Sequence, residues 1–370
     1  MDAIIENHNS ENKNLHISLK EILYRCILNA WYPLNVFKLK LDKDDKVQDH
    51  IEKLKDIPEL AEFFKQNIIP YKDFESKINL LGKNKTIDEI YSHLKKNVPY
   101  RFLSPWIEHF GLTVDKDYTQ KFFMNENYDP EFLLPYKFYW KEKEIQLEIS
   151  SWFQTLLSNN KLIIEHWWRY NFAKYIQDKN PLMPGILSKL EKMERDQSLA
   201  KIFWQPYLQK RGSIKCIYTD KELIYTGKPL TDSYDIDHFI PWSFVGHNLL
   251  WNMIPVDAEF NRKKSDRLPS LEKYISKFID TQIEGLYIHQ KILLHSYQTE
   301  TEYVNSEKLS NRVKNSDKLS NHINDDYQLP NLLSTDSGKN SEIKIREFIE
   351  ERIRYSHDLA LKNGFEEFSF

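Results

Sequence analysis

Nine glycines in 370 residues is the feature that most narrows what this chain can fold into. Tight hairpins and left-handed turns lean on glycine, which enters positive φ without a steric penalty. A chain so poor in it is not built from many short strands joined by two-residue turns. The sequence therefore predicts a largely helical protein. Apolar residues at 41% and aromatics at 14% are enough to fill real cores, and 370 residues suggest about two domains.

Residues 1–17 read as a polar tail, followed by a helical domain over 18–200. In LKEILYRCILNAWYPLNVFKL the spacing puts Ile22, Leu23, Cys26, Ile27 and Ala30 on one face, and Pro33 is expected to break the run. KVQDHIEKLKD and TIDEIYSHLKKNV repeat the helical spacing. Thr86 and Glu89 have the form of a capping box, which predicts a helix start there. EIQLEISSWFQTLLSNN and LIIEHWWRYNFAKYIQ read as further helices, the second ending before NPLMPG. HWWRY, at 166–170, is taken as core packing, and PYRFLSPW, at 99–106, as an interhelical turn.

The pattern changes near Ile202. CIYTDKELIYTG predicts two short strands around a turn, Ile217–Tyr218 and Leu223–Tyr225. YDIDHFIP predicts a third strand and LLWNMIPV a fourth. AEFNRKKSDRL returns to helical spacing with Asp257 as its N-cap. LEKYISKFIDTQIEGLYIHQKILLHSY adds one or two helices, which closes a domain over 201–300. Residues 301–341, rich in Asn and Ser, read as a linker or surface insertion. A C-terminal helix over 342–370 stops at Gly364.

Within this small strand and helix unit, YDIDHFIPWS (234–243) sets Asp235, Asp237 and His238 into an otherwise apolar, strand-like segment. Buried charge is costly unless it is paired or bound to a metal. Two more polar residues fall on the neighbouring elements: Asn252 in LWNMIP and Asn261 in FNRKKSD. The combination of D-x-D-H-x-x-P, W-N-x-x-P and N-x-x-K-S-D resembles the HNH endonuclease family over roughly residues 213–270. The resemblance implies an α+β chain, mostly α-helical, in which a helical N-terminal domain precedes a small ββα-metal module and C-terminal helices. It implies metal-dependent hydrolysis of phosphodiester bonds in DNA, leaving 5′-phosphate and 3′-hydroxyl ends. Stand-alone relatives of this kind point to a restriction or anti-phage role.

The chemistry matches the residue types. His238 titrates near neutral pH and can take a proton from water as general base. Asp237 and Asn261 offer hard oxygen ligands suited to Mg²⁺ or Mn²⁺. Neighbours on a strand point to opposite faces, so Asp237 and His238 share a site only where the backbone bends. The resemblance assigns Asn252, counted with the catalytic residues, to ordering the loop that fixes the His238 ring. It makes Asp235 a support behind the ligands and sets Lys264 against a phosphate, with Lys263, Arg262 and Arg267 adding positive charge. His247 reads as a loop residue packed on Trp251. Many HNH proteins staple this fold with C-x-x-C zinc pairs. Here Thr219 stands where the second cysteine would follow Cys216, which argues against structural zinc and leaves the helices to brace the module.

The formal net charge of −3 does not advertise nucleic-acid binding, although residues 201–270 form a mildly basic island. Phosphate contacts supply most DNA affinity, so a partner protein or homo-oligomer is expected to add to it. The N-terminal stretch lacks a signal-peptide layout and no run approaches the ~18 apolar residues of a membrane span. The expectation is a cytoplasmic protein without membrane contact. The motif does not distinguish deoxyribose from ribose. An RNA-cleaving nuclease stays open as an alternative, as does a non-cleaving nucleic-acid-binding or regulatory subunit.

Overall fold

The computed structural model describes residues 16–42, 46–96, 101–109, 134–141, 144–191, 195–225, 234–300, 319–328 and 339–368. The polar tail up to residue 15, and 301–318 and 329–338 of the Asn/Ser-rich segment, lie outside the described residues. The chain divides into two units, Met1–Pro181 with Ile186–Lys192, and Leu182–Gly185 with Met193–Phe370.

In the first unit, strand β1 (His16–Ser18) runs directly into helix α1 (Leu19–Phe37). Ser18 is the N-cap, its hydroxyl accepting from the Lys20 N–H at 3.2 Å, and Glu21 lies in the first turn where a carboxylate favours the helix dipole. Pro33 does not end α1. A helix-interior proline costs about 3 kcal/mol, but the turn beyond it buries Phe37 completely, and the Pro33 carbonyl accepts from Leu39. Helices α2 (Val47–Lys55), α3 (Tyr71–Leu81) and α4 (Lys85–Lys95) complete the bundle around Leu23, Ile27, Ile51, Phe74 and Ile90. α4 starts one residue before the expected capping box. Asn84 is its cap, accepting from the Thr86 and Ile87 N–H groups at 3.0 and 3.3 Å.

This unit also carries a sheet, which corrects the expectation of a helical domain over 18–200. EIQLEI is strand β3 (Glu144–Ile149), not helix. Ile145, Leu147 and Ile149 are buried in strict alternation, a period of two that an adjoining helix start at Ser150 obscures. β3 pairs antiparallel with β1 and with β2 (Tyr136–Lys141), so Ile17, Leu147 and Phe138 line up across one face. Helix α5 (Ser151–Lys179) follows, kinked at Asn160. Its HWWRY stretch is not core: Trp167 and Tyr170 are each 64% exposed, and Leu162 and Ile163 are exposed beside them. Leu103 is buried, and Ser104–His109 of the expected turn is a short helix.

The second unit begins upstream of the expected boundary. Helix α6 (Ser198–Arg211) belongs to it, followed by the hairpin of β4 (Ser213–Lys215) and β5 (Glu222–Ile224). The first of these strands lies before CIYT, and residues 216–219 form the turn instead. Strands β6 (Tyr234–His238) and β7 (Met253–Asp257) form a second antiparallel pair. Helix α7 (Ala258–Lys264) leaves β7 with Asp257 as its cap, accepting from the Phe260 N–H at 2.7 Å. A long helix, α8 (Leu271–Glu300), packs on α6, and Gly285 of α8 lies against Trp204 of α6. A methyl group there would meet the Trp204 ring at 2.7 Å. Part of the expected linker is folded: helix α9 (319–327) buries Ile323 and Tyr327. Helix α10 (Lys339–Lys362) packs on α8 and ends at Gly364, whose φ of +90° suits glycine. The chain is thus α+β and mostly helical, with three small antiparallel sheets among the described residues. Among these residues no helix is long and apolar enough to cross a membrane.

Candidate active site

The β6–β7 ladder sets Asp237 opposite Ile254 and His238 opposite Met253. Beyond His238 the chain bends, and the bend is held by one side chain. The buried amide of Asn252 accepts from the Ile240 N–H at 2.8 Å and donates to the Ile240 carbonyl at 2.9 Å. The Phe239 N–H donates to the Asn252 carbonyl at 2.8 Å. The Asn252 side chain thus stands in for the ladder partner that the Ile240 backbone lacks, as a buried turn requires.

Asp237 is 2% exposed. The ammonium of Lys264, from the last turn of α7, lies 3.1 Å from its Oδ1 and 3.0 Å from its Oδ2, and the Tyr218 hydroxyl donates to Oδ2 at 3.2 Å. Lys264 also donates to the His238 carbonyl at 2.9 Å. Burial pushes the Asp237 carboxyl above its ordinary range, and Lys264 opposes that shift. Burial, with the Asp237 charge beside it, raises the Tyr218 phenol well above its usual value. Lys264 was expected against a phosphate. Instead it is 1% exposed and ties α7 to β6, because a buried carboxylate demands a counter-charge.

The His238 ring faces a different set of partners. Its Nε2 lies 3.0 Å from Asn248 Oδ1, and its Nδ1 lies 3.2 Å from a guanidinium nitrogen of Arg195. Arginine can only donate, so Nδ1 is an acceptor and the proton sits on Nε2, donated to Asn248. Burial, then the Arg195 charge, lowers the ring's pKa to about 3. His238 is a neutral imidazole with its basic lone pair on Nδ1.

The remaining expected residues spread outward. Asn261 is half-buried on α7, one turn before Lys264. Asp235 is exposed on β6 and touches none of the groups it was expected to support. Arg262 is exposed, and Lys263 pairs with Glu259 at 2.7 Å. Arg267 folds back onto the carbonyls of Lys263 and Lys264 and lies 4.3 Å over the Phe368 ring, so it caps α7. His247 packs on Trp251 at 5.4 Å. Cys216 is buried and its sulfur accepts from the Asp257 N–H at 3.3 Å.

Residues 216–270 match the family model described as HNH endonuclease. The chain carries an HNH module. No solved structure matches the chain. HNH nucleases generally use a divalent metal, and their substrate is nucleic acid. The donor types of this HNH module match such an ion, and the Lys264 ammonium lies on both oxygens of Asp237 in its place. A carboxylate has about four acceptor sites, and Lys264 and Tyr218 occupy all but one of those on Asp237. Asp237 and the Asn261 amide are hard oxygen donors, the kind Mg²⁺ takes alongside its own water. Among the described residues no cluster of three or more His, Cys, Asp or Glu forms.

The HNH module is braced from outside its matched segment. Asp326 of α9 accepts from the buried Leu250 N–H at 2.8 Å, and Gln282 of α8 donates to the carbonyls of Leu250 and Met253 at 3.3 and 2.8 Å. Tyr327 donates to Gln282 at 2.5 Å, and Trp204 of α6 donates to Met253 at 3.0 Å. These bonds hold the turn that carries Asn252. Sequence reasoning missed Arg195, Tyr218, Asn248, Gln282, Asp326 and Tyr327. Tyr218 lies inside CIYTDKELIYTG and Asn248 just before LLWNMIPV, whereas nothing in the local sequence of the other four ties them to the site. Asp326→Ala is expected to cost about 1–3 kcal/mol, the penalty for leaving a buried N–H unpaired. Urea denaturation measures it, and an unchanged midpoint would remove this brace from the account.

Proposed function

We propose that this protein is a metal-dependent endonuclease that hydrolyses DNA, with His238 as general base and Asp237 and Asn261 as metal ligands. The observation that supports the reading is the geometry of the His238 ring: Nε2–H is anchored on Asn248, and Nδ1, an acceptor, faces the Arg195 guanidinium on the opposite edge. In hydrolysis a water oxygen bonds to phosphorus, its proton passes to Nδ1, and the bond from phosphorus to O3′ breaks. The products are a 5′-phosphate and, after the departing oxygen gains a proton, a 3′-hydroxyl. Asn248 keeps the ring from rotating, and Asn252 keeps the bend that presents it. When bound, a divalent cation supplies charge neutralisation at the phosphate and the leaving oxygen. Such a cation has to compete with the Lys264 ammonium for the Asp237 carboxylate.

The test is cleavage of supercoiled plasmid, and of RNA of similar length, with Mg²⁺ or Mn²⁺ and with EDTA. The expected result is metal-dependent conversion of the plasmid to nicked and linear forms. Cleavage of RNA alone would replace the DNA assignment, and cleavage that survives EDTA would remove the metal. The restriction or anti-phage role is tested by phage plaque counts on cells carrying the wild-type chain or His238→Ala. Equal counts would reject it.

A further inference from the structure

Arg195 lies outside the segment that matches the HNH family, yet its guanidinium reaches the one atom of His238 that has to accept a proton. The placement is built rather than incidental. Gln197, two residues on, donates to the Ile236 carbonyl of β6 at 2.9 Å, and Asp196 accepts from the Ser198 N–H at 2.8 Å to start α6. The segment before α6 is therefore fastened along the catalytic strand. The residue Arg195 is exposed, and its charge acts on the His238 ring and on the Asp237 carboxylate beside it. A guanidinium N–H that donates to Nδ1 penalises the base by occupying the lone pair it would use. The penalty disappears when an anion draws the guanidinium away, and a phosphodiester is the anion this site would receive. Arginine's planar fork suits two phosphate oxygens at once.

We propose that Arg195 is a further catalytic residue, which binds the non-bridging oxygens of the scissile phosphodiester and in doing so releases His238 Nδ1 for the attacking water. The proposal rests on the nuclease reading above. In the absence of substrate the same contact holds the base occupied, so the site becomes competent only when a phosphate is in place.

The test compares the full-length wild-type chain with Arg195→Ala and Arg195→Lys, using a short DNA duplex with Mg²⁺ for cleavage and the same duplex in EDTA for binding. Arg195→Ala is expected to lower kcat by about 10²–10³-fold, as for loss of one donor to a developing oxyanion. Free guanidinium ion at millimolar concentration should restore part of it, and Arg195→Lys should fall between. Loss of one phosphate contact should also reduce the slope of log affinity against log salt by about one. A variant that cuts at the wild-type rate overturns the proposal, as does lost cleavage with an unchanged salt slope, which would confine Arg195 to orienting the ring. A wild-type chain that cuts neither DNA nor RNA rejects the nuclease reading itself, a different result from either. If Arg195→Ala melts early, Arg195→Lys carries the comparison, since it keeps the charge and the aliphatic stem.

Discussion

Replacing Lys264 with methionine is expected to destabilise the second unit by about 3–5 kcal/mol, the usual cost of stranding one member of a buried ion pair. The carboxylate left behind is 2% exposed and keeps only the Tyr218 hydroxyl. It must then either remain charged in an apolar setting or bind a proton, and burial already pushes its pKa upward. The His238 carbonyl loses a donor at the same moment. Pairing Lys264→Met with Asp237→Asn should recover much of the loss, because neither charge then remains buried. Urea denaturation of the three variants supplies the cycle. A single variant within about 1 kcal/mol of wild type, the range of exposed pairs, would show that Lys264 is no structural counter-ion. It would return that residue to the phosphate-facing role implied by the resemblance.

The second large effect is on turnover. His238→Ala is expected to lower cleavage by about 10²–10⁴-fold, the range for loss of a general base. The change should leave the β6–β7 ladder intact, because among the described residues the ring bonds only to the side chains of Asn248 and Arg195. Asn248→Ala should give a smaller loss, since the ring keeps its base but loses the bond that fixes its tautomer. The readout is initial rate on plasmid with saturating Mg²⁺, beside a melting curve for each protein. Undiminished cleavage by His238→Ala would move the general base elsewhere.

The site was legible where chemistry and spacing coincide in a short stretch. D-x-D-H-x-x-P, W-N-x-x-P and N-x-x-K-S-D sit on two paired strands, the turns at their ends and the helix that follows; the expected strand LLWNMIPV starts only at Met253, with Leu250–Asn252 as a turn, and the Asp257 cap is where the helical spacing placed it. The fold was legible in its helix content and less so in its exceptions. The alternation of EIQLEI was absorbed into the following helix because Ile145 and Ile149, four apart, share a helical stripe, although Leu147 between them fits only a strand face. Pro33 looked like a stop because local propensity says nothing of the burial of Phe37 beyond it. The Asn/Ser-rich segment looked solvated because Asp326 and Tyr327 find their partners only in the tertiary structure. Arg195 shows the same limit most plainly. It lies 43 positions from His238, and no pattern of period two or 3.6 connects them.

The braces on the Asn252 turn also set a schedule. A nascent chain that has emerged as far as residue 270 already contains every motif residue, yet Gln282, Asp326 and Tyr327 are still to come. So is the return of the chain to Leu268, whose N–H donates to Glu366 and whose carbonyl accepts from Phe368. The nuclease centre is therefore among the last parts of the molecule to mature. Proteolysis that removed α9 or α10 would disarm it without touching a catalytic side chain.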